Sequence, residues 1–262
     1  MSHPFVRSAE ETNAFLMDID QGGMHACTLS ASIETTPEYL RSILPTCFDM
    51  PDQSVLSLSF AKYRSIYDGD FDLFALGLSC KFQGQDTGYV PYLLISRDIA
   101  IFGGREGWGE RKRFGKADLF YYGDEMYAYA ERNGVRIAEI NAKLGPDQGG
   151  RVDAGGTCCW IKAFPDAMGR GFDKTPLIVQ RTGKSSLRVV RDGEAEIVLR
   201  STPNDPLGEI PIVRVLGAGY NEGFHTAHVP QKRFDIENAQ SFENLWYGFA
   251  YDTVSRLYKT EA

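Results

Sequence analysis

One stretch constrains this chain more than any other. Residues 126–132 alternate apolar and polar side chains, Asn133-Gly134 follows, and residues 135–141 alternate again. A two-residue turn that matches the twist of paired strands needs positive φ, which Asn and Gly tolerate. The stretch therefore predicts an antiparallel hairpin. The same logic at Asp192-Gly193, flanked by residues 187–190 and 195–199, predicts a second one. Further strands are predicted at 54–60, 73–82, 89–95, 159–163, 176–180, 212–216 and 224–228. The 89–95 run is nearly continuous in apolar residues, as in a strand buried on both faces. Residues 145–156 read as a loop.

Helical signals are few. Thr36-Pro37-Glu38 reads as an N-cap, a proline in the first turn and an acid near the helix dipole's positive end, with Leu40, Ile43 and Leu44 following at helical spacing. Phe242, Leu245, Trp246, Phe249, Thr253 and Leu257 fall at spacings of three and four. They predict an amphipathic helix over 237–258, packed on the sheet or on a second subunit. Many short strands, helices toward the two ends and no strand–helix alternation predict an α+β fold, predominantly antiparallel β. At 262 residues, with no linker or repeat, the chain is expected to form a single domain spanning 1–262.

Composition narrows the function classes. With 28 basic against 35 acidic residues the net charge is −7, which argues against nucleic acid or an anionic membrane as partner. The apolar run at 89–96 is too short to cross a bilayer, and Glu10 and Glu11 stand where a basic leader would begin, so a cytoplasmic protein is expected. Five cysteines, Cys27, Cys47, Cys80, Cys158 and Cys159, include an adjacent pair and no CxxC, so they read as reduced thiols rather than a disulfide framework or zinc site.

Residues 101–119, IFGGREGWGERKRFGKADL, concentrate glycine and charge. A phosphate loop would end in Gly-Lys-Ser/Thr, but Gly115-Lys116 is followed by Ala117. A dinucleotide fingerprint would need a third glycine after Gly107-Trp108-Gly109, and none sits there. What remains is Arg111-Lys112-Arg113. On composition alone this is a solvated basic turn. Alternatively, a neighbouring cation and an apolar pocket both disfavour an ammonium, whose ordinary pKa is about 10.4, and free it to attack a carbonyl.

Gly104-Arg105-Glu106, five residues, then Lys112-Arg113 resembles the Gly-Arg-Glu…Lys-Lys signature of the acetoacetate decarboxylase family. Residues 82–94, the run Lys116-Ala117-Asp118-Leu119-Phe120, the 126–141 hairpin, Trp160-Ile161-Lys162-Ala163-Phe164-Pro165 and residues 207–230 follow in the family's order. The resemblance covers about residues 25–235, with 237–258 as an appended helix. It implies an acetoacetate-decarboxylase-like β-barrel with peripheral helices, no metal, no organic cofactor, a small keto substrate and a homo-oligomer. It also implies that Lys112 forms a Schiff base and that Arg113, in place of the second lysine, lowers its pKa.

The chain departs from the pattern at several positions. Glu34, near Ser32, stands where the family has an early arginine. Leu58 or Ser59, and Leu73 beside Asp70 and Asp72, stand where it has glutamates, and Glu110-Arg111 replaces Tyr-Pro. Glu110 reads either as a carboxylate opposing Arg113 or as a general acid/base. Arg105 and Glu106 read as a structural pair holding the loop. Arg64, Asp72, Trp108, Tyr220 and His225 are candidate substrate-binding groups, with Tyr63 beside Arg64. His225 and His228 have HxxH spacing, but on a strand that spacing puts them on opposite faces, so no metal site is expected.

The expected function is that of a Schiff-base-forming lyase decarboxylating a β-keto acid through an imine at Lys112. Aldol, retro-aldol, dehydration or cyclisation chemistry on a larger carbonyl compound uses the same electron sink. A ligand-binding barrel without chemistry is the non-enzymatic alternative.

Overall fold

The computed structural model describes residues 5–14, 23–65, 68–153, 156–168, 171–236 and 238–252. Antiparallel pairing dominates. The strands are β1 (Gly23–Glu34), β2 (Val55–Ser65), β3 (Gly69–Phe82), β4 (Gln85–Ile95), β5 (Lys112–Phe114), β6 (Lys116–Tyr122), β7 (Glu125–Arg132), β8 (Val135–Leu144), β9 (Arg151–Asp153), β10 (Thr157–Lys162), β11 (Leu177–Leu199), β12 (Ser201–Thr202), β13 (Asp205–Pro206) and β14 (Arg214–Asp235). The main sheet runs β10-β4-β3-β2-β1-β14-β11-β8-β7-β6, and β10 also pairs with β11. The strands from β10 through β11 therefore close into a ring. The far half of β11 carries β8, β7 and β6, and β6 folds back to pack on β2 and β3. Among the described residues no helix is long and apolar enough to cross a membrane.

The Asn-Gly hairpin forms as its chemistry requires, with φ of 51° at Asn133 and 79° at Gly134 between β7 and β8. Asp192-Gly193 does not turn. There β11 runs straight on and changes partner, Gly193 pairing with both Ala218 and Leu144. A Cβ at Gly193 would collide with the Lys143 carbonyl oxygen, so this glycine serves close backbone approach. Residues 214–216 and 224–228 likewise belong to one long strand rather than two, with 212 and 213 lying before it, and a short β9 interrupts the expected loop at 145–156.

Helix α1 (Pro37–Ile43) starts as expected, with Thr36 Oγ1 accepting from the Tyr39 N–H at 3.2 Å. Between β4 and β5 lie α2 (Asp98–Phe102) and a π-helical turn (Gly103–Trp108), which the sequence did not announce. The C-terminal helix is shorter than the 237–258 expectation: a 3-10 turn (Ala239–Phe242) leads into α3 (Glu243–Ala250), and Tyr251 is extended. The Arg113 guanidinium takes the carbonyls of Gly248 at 3.0 Å and Phe249 at 2.7 Å, satisfying end groups that another turn would have used. Thr253 and Leu257 lie outside the described residues. Phe242, Trp246 and Ala250 are the buried stripe of this segment.

The ring strands have two unlike faces. One is apolar: Leu29, Ala31 and Ile33 of β1, Leu56, Leu58 and Phe60 of β2, and Phe74, Leu76 and Leu78 of β3 are all buried in the main core. The other is built of small and polar residues. The register Gly219–Ser30–Ser59–Ala75–Leu93–Lys112 runs in phase across β14, β1, β2, β3, β4 and β5 on that face. Paired residues share a face and successive ones alternate, so Lys112 belongs to the small-residue face and Arg113 to the apolar one.

Candidate active site

Lys112 opens the three-residue β5, which pairs in parallel with the buried end of β4. Its side chain lies under the π-helical turn. Nζ is 2.7 Å from Glu110 Oε2 and donates to the Ala100 carbonyl at 3.0 Å. Both residues are buried, Lys112 9% exposed and Glu110 7%, so solvent competes little for the pair. The turn is shaped to this contact. A Cβ at Gly104 would collide with Glu110 Oε2 and sit 2.5 Å from Nζ. Gly109, left-handed at φ 80°, leaves room for the backbone of β10 at Ile161 and Lys162. Arg105 donates to the Lys112 carbonyl at 3.0 Å and so holds β5 to the turn.

Other polar residues share the small-residue face with this amine. Register puts Tyr63 in phase with Phe71, and it stacks on that ring with centroids 5.1 Å apart. Cys158 pairs with Gly88 and Arg181, and His225 with Met24 and Ser185. Burial raises the Tyr63 hydroxyl, Arg181 opposes the rise and Glu110 adds to it. Burial pushes the Cys158 thiol up to about 11, with Arg181 and Glu110 acting in the same two senses. The cysteine is thus kept as a thiol at neutrality, which suits no nucleophilic role. Burial, Arg181 and His25 lower His225, whose Nδ1 is 2.6 Å from Ser185 Oγ. Groups from β2, β10, β11 and β14 therefore influence one another across the ring. Half-buried Asp68 is raised by desolvation and responds to Lys112 and Glu110.

The sequence-derived candidates divide between the two faces. Glu110 and His225 share the face of Lys112. Trp108 ends the π-helical turn and meets Trp160 of β10 edge-on at 6.5 Å. Arg113 does not neighbour the amine: alternation sends it to the apolar side, where it bonds Asp205 at 3.2 Å and the carbonyls of α3. Tyr220 is in phase with Leu29 and hence with Arg113. Asp72, in phase with Lys62, ion-pairs with it at 3.9 Å. Arg64, Asp72 and Tyr220 line a cleft of about 1240 Å³ whose walls include neither Lys112 nor Glu110. Arg105 and Glu106 are no structural pair, since Arg105 serves the Lys112 carbonyl and Glu106 is exposed. The side chain of His228 lies outside the described residues. Sequence reasoning missed Arg181, Asp68 and Cys158 at the site. It also missed Arg111, whose guanidinium lies 4.0 Å over the Trp246 ring and bonds the Ile161 carbonyl.

The sequence profile of the family described as Acetoacetate decarboxylase (ADC) matches residues 3–234, nearly the whole chain. Acetoacetate decarboxylase 3 of Mesorhizobium japonicum is 29% identical over 91 residues, 34% of this chain. That alignment spans only 35% of the relative's own length. Among solved structures, an acetoacetate decarboxylase from Legionella pneumophila superposes with a TM-score of 0.74 at 16% identity, covering 90% of this chain and 99% of that one. The enduracididine biosynthesis enzyme MppR, complexed with pyruvate, superposes at 0.69 with 15% identity, covering 81% and 89%. An acetoacetate decarboxylase-like enzyme from Sphingomonas wittichii superposes at 0.64 with 15% identity, covering 81% and 92%. At these identities the superpositions speak for a shared fold.

Proposed function

Because the chain belongs to the acetoacetate decarboxylase family, we propose that it is a Schiff-base-forming lyase that decarboxylates a β-keto acid through an imine at Lys112. The observation that carries this reading is the burial of the Lys112 amine against Glu110, 2.7 Å away, on the small-residue face of the ring. Nucleophilic attack needs Nζ without its extra proton, and Glu110 Oε2 is within reach to accept it. Nζ attacks the keto carbon to form a carbinolamine. Glu110 returns the proton to the departing hydroxyl, water leaves, and the carbon–nitrogen double bond carries the positive charge. The bond from the α-carbon to the carboxylate then breaks. Its electron pair flows into the iminium, giving CO2 and an enamine. Protonation at carbon and hydrolysis of the resulting iminium release the ketone and restore the amine.

A second reading shares this sink and differs in the bond broken: aldol, retro-aldol, dehydration or cyclisation chemistry on a larger carbonyl compound. It is favoured by the polar groups that share the amine's face of the sheet. Ser59, not a glutamate, is in phase with Lys112 across the sheet, and Tyr63, Arg181 and His225 supply the polar surface instead.

Borohydride reduction with acetoacetate or pyruvate, read by intact mass and peptide mapping, tests the imine. An adduct on Lys112 is expected, and CO2 release from acetoacetate or a larger β-keto acid should accompany it. An adduct without gas favours the second reading. No adduct with any carbonyl compound leaves only a ligand-binding protein.

A further inference from the structure

A β-keto acid brings a carboxylate, and the family resemblance implies an early arginine to receive it. That position holds Glu34, which is ion-paired with Arg214. We propose that Arg181, on β11 across the ring from β2, is the anchor for the substrate's carboxylate, held in position by the rings of Trp108 and Trp160. The proposal deepens the Schiff-base reading by naming the group that orients the acid.

Four observations converge on Arg181. Register places it on the face of Lys112, through Cys158, Gly88 and Ser79. Its guanidinium carbon lies 5.1 Å from the Trp160 ring centroid and 5.5 Å from that of Trp108. Two aromatic faces fix its direction without consuming its hydrogen bonds. It makes no ion pair among the described residues, its side chain meets the Cys158 thiol, and Nε is buried without a hydrogen-bond partner. Finally, Trp160 Nε1 and His225 Nε2, both on this face, are likewise buried and unpartnered. Such groups are costly unless something polar meets them.

The charge balance points the same way. Glu110 is committed to Lys112. Lys162, the next cation along β10, donates to the Gly107 carbonyl at 3.1 Å. Arg181 is left as a guanidinium on the small-residue face with no carboxylate of its own among the described residues, and a planar fork of donors is the geometry that receives one bidentately. Tyr63 and Cys158, on the same face, each respond to both Arg181 and Glu110.

The test compares acetoacetate with acetone, its counterpart without the carboxylate. In Arg181→Gln, borohydride trapping of acetoacetate at Lys112 is expected to fall about tenfold to a hundredfold, the worth of a charge-assisted pair. Acetone should be trapped as before, and Arg181→Lys should recover part of the acetoacetate signal. An equal fall for both ketones, or none for acetoacetate, overturns the proposal. Binding without chemistry is read separately, by tryptophan fluorescence during acetoacetate titration of the wild type and of Lys112→Met. Saturation in both that is lost in Arg181→Gln supports the anchor even if no imine forms anywhere. No saturable change in the wild type, or one indifferent to Arg181, refutes it. Should Arg181→Gln fail to fold, Arg181→Lys carries the comparison: weaker acetoacetate binding than wild type supports the anchor, and unchanged binding refutes it.

Discussion

Strand β5 separates two buried charge clusters that differ in how fully they are satisfied. On the apolar side, Arg113 and Arg132 converge on Asp205 and Asp252, Tyr92 donates to Asp205 at 2.6 Å, and Thr202 adds a bond at 3.0 Å. Almost every donor of Arg113 has a named acceptor. On the other side, Lys112 has one carboxylate and one carbonyl, and the polar groups beyond it include atoms with no partner. The fuller network, in which only Asp252 Oδ1 is buried without a hydrogen bond among the atoms of its charged groups, fixes one arrangement of the chain, here joining α3 and the β12–β13 corner to the sheet. An undersatisfied one costs folding energy and is retained where a ligand completes it. On the proposed reading, adjacent residues of one short strand serve stability and chemistry separately.

Two substitutions should split that division most sharply. Lys112→Met is expected to abolish borohydride trapping and to lower turnover at least about a thousandfold in protein that still folds, checked by circular dichroism. Arg113→Met is expected to act in the opposite column. Removing one partner from a buried ionic network costs about 3–5 kcal/mol, which for a chain of this size lowers Tm by roughly 10 °C. Protein that does fold should still trap the keto acid at Lys112. If Arg113→Met instead keeps its Tm and loses the adduct, the guanidinium acts on the amine after all.

The sequence showed the strands better than their connections, and for a physical reason. Asn133-Gly134 is legible because positive φ at both positions is a local demand. Gly193 misleads because its need, room for the Lys143 carbonyl, arises from a strand distant in sequence. Lys112 was legible as a residue of a motif, and Glu110 as a departure from it two residues earlier. The misassignment of Arg113 came from reading adjacency along the chain as adjacency in space. The alternation in Glu110-Arg111-Lys112-Arg113 carried the correct signal: the acid and the amine fall on one side, and the two guanidiniums turn toward Trp246 and Asp205. Arg181 was not legible at all, since a strand residue with no motif reaches the site only through closure of the ring by β10.

A smaller effect tests how tightly the undersatisfied side is shaped. Gly104→Ala places a methyl group 2.5 Å from Nζ and against Glu110 Oε2, so the amine must shift. Displacement by about 1 Å is expected to cost about tenfold to a hundredfold in turnover, with the adduct still forming on prolonged incubation. The matching change on solvent-facing Gly107, whose Cβ would meet nothing within 4 Å, is the control. Equal losses at the two glycines would mean that the turn tolerates no side chain anywhere, and that the Gly104 contact is not specific.

The smallest expected effect is a pH dependence of stability. His225 is partly buried and its imidazole is lowered from 6.5, chiefly by desolvation and then by the Arg181 guanidinium and His25. Among the described residues the groups that act on it are Ser185, Arg181 and His25, none of which is an acid. With the folded value below the unfolded one, the unfolded chain binds the extra proton first as pH falls from about 6.5. The neutral imidazole therefore contributes stability that is whole above that pH and is lost as pH drops through the folded value. His225→Gln, which keeps an amide able to bond Ser185, should flatten the fall in Tm between neutrality and mild acid. Arg181→Gln should shrink it only in part, because burial is the larger cause. A Tm profile that is the same with and without His225 would show that the acid sensitivity belongs to carboxylates, among them Asp205 and Asp252 on the other side of β5.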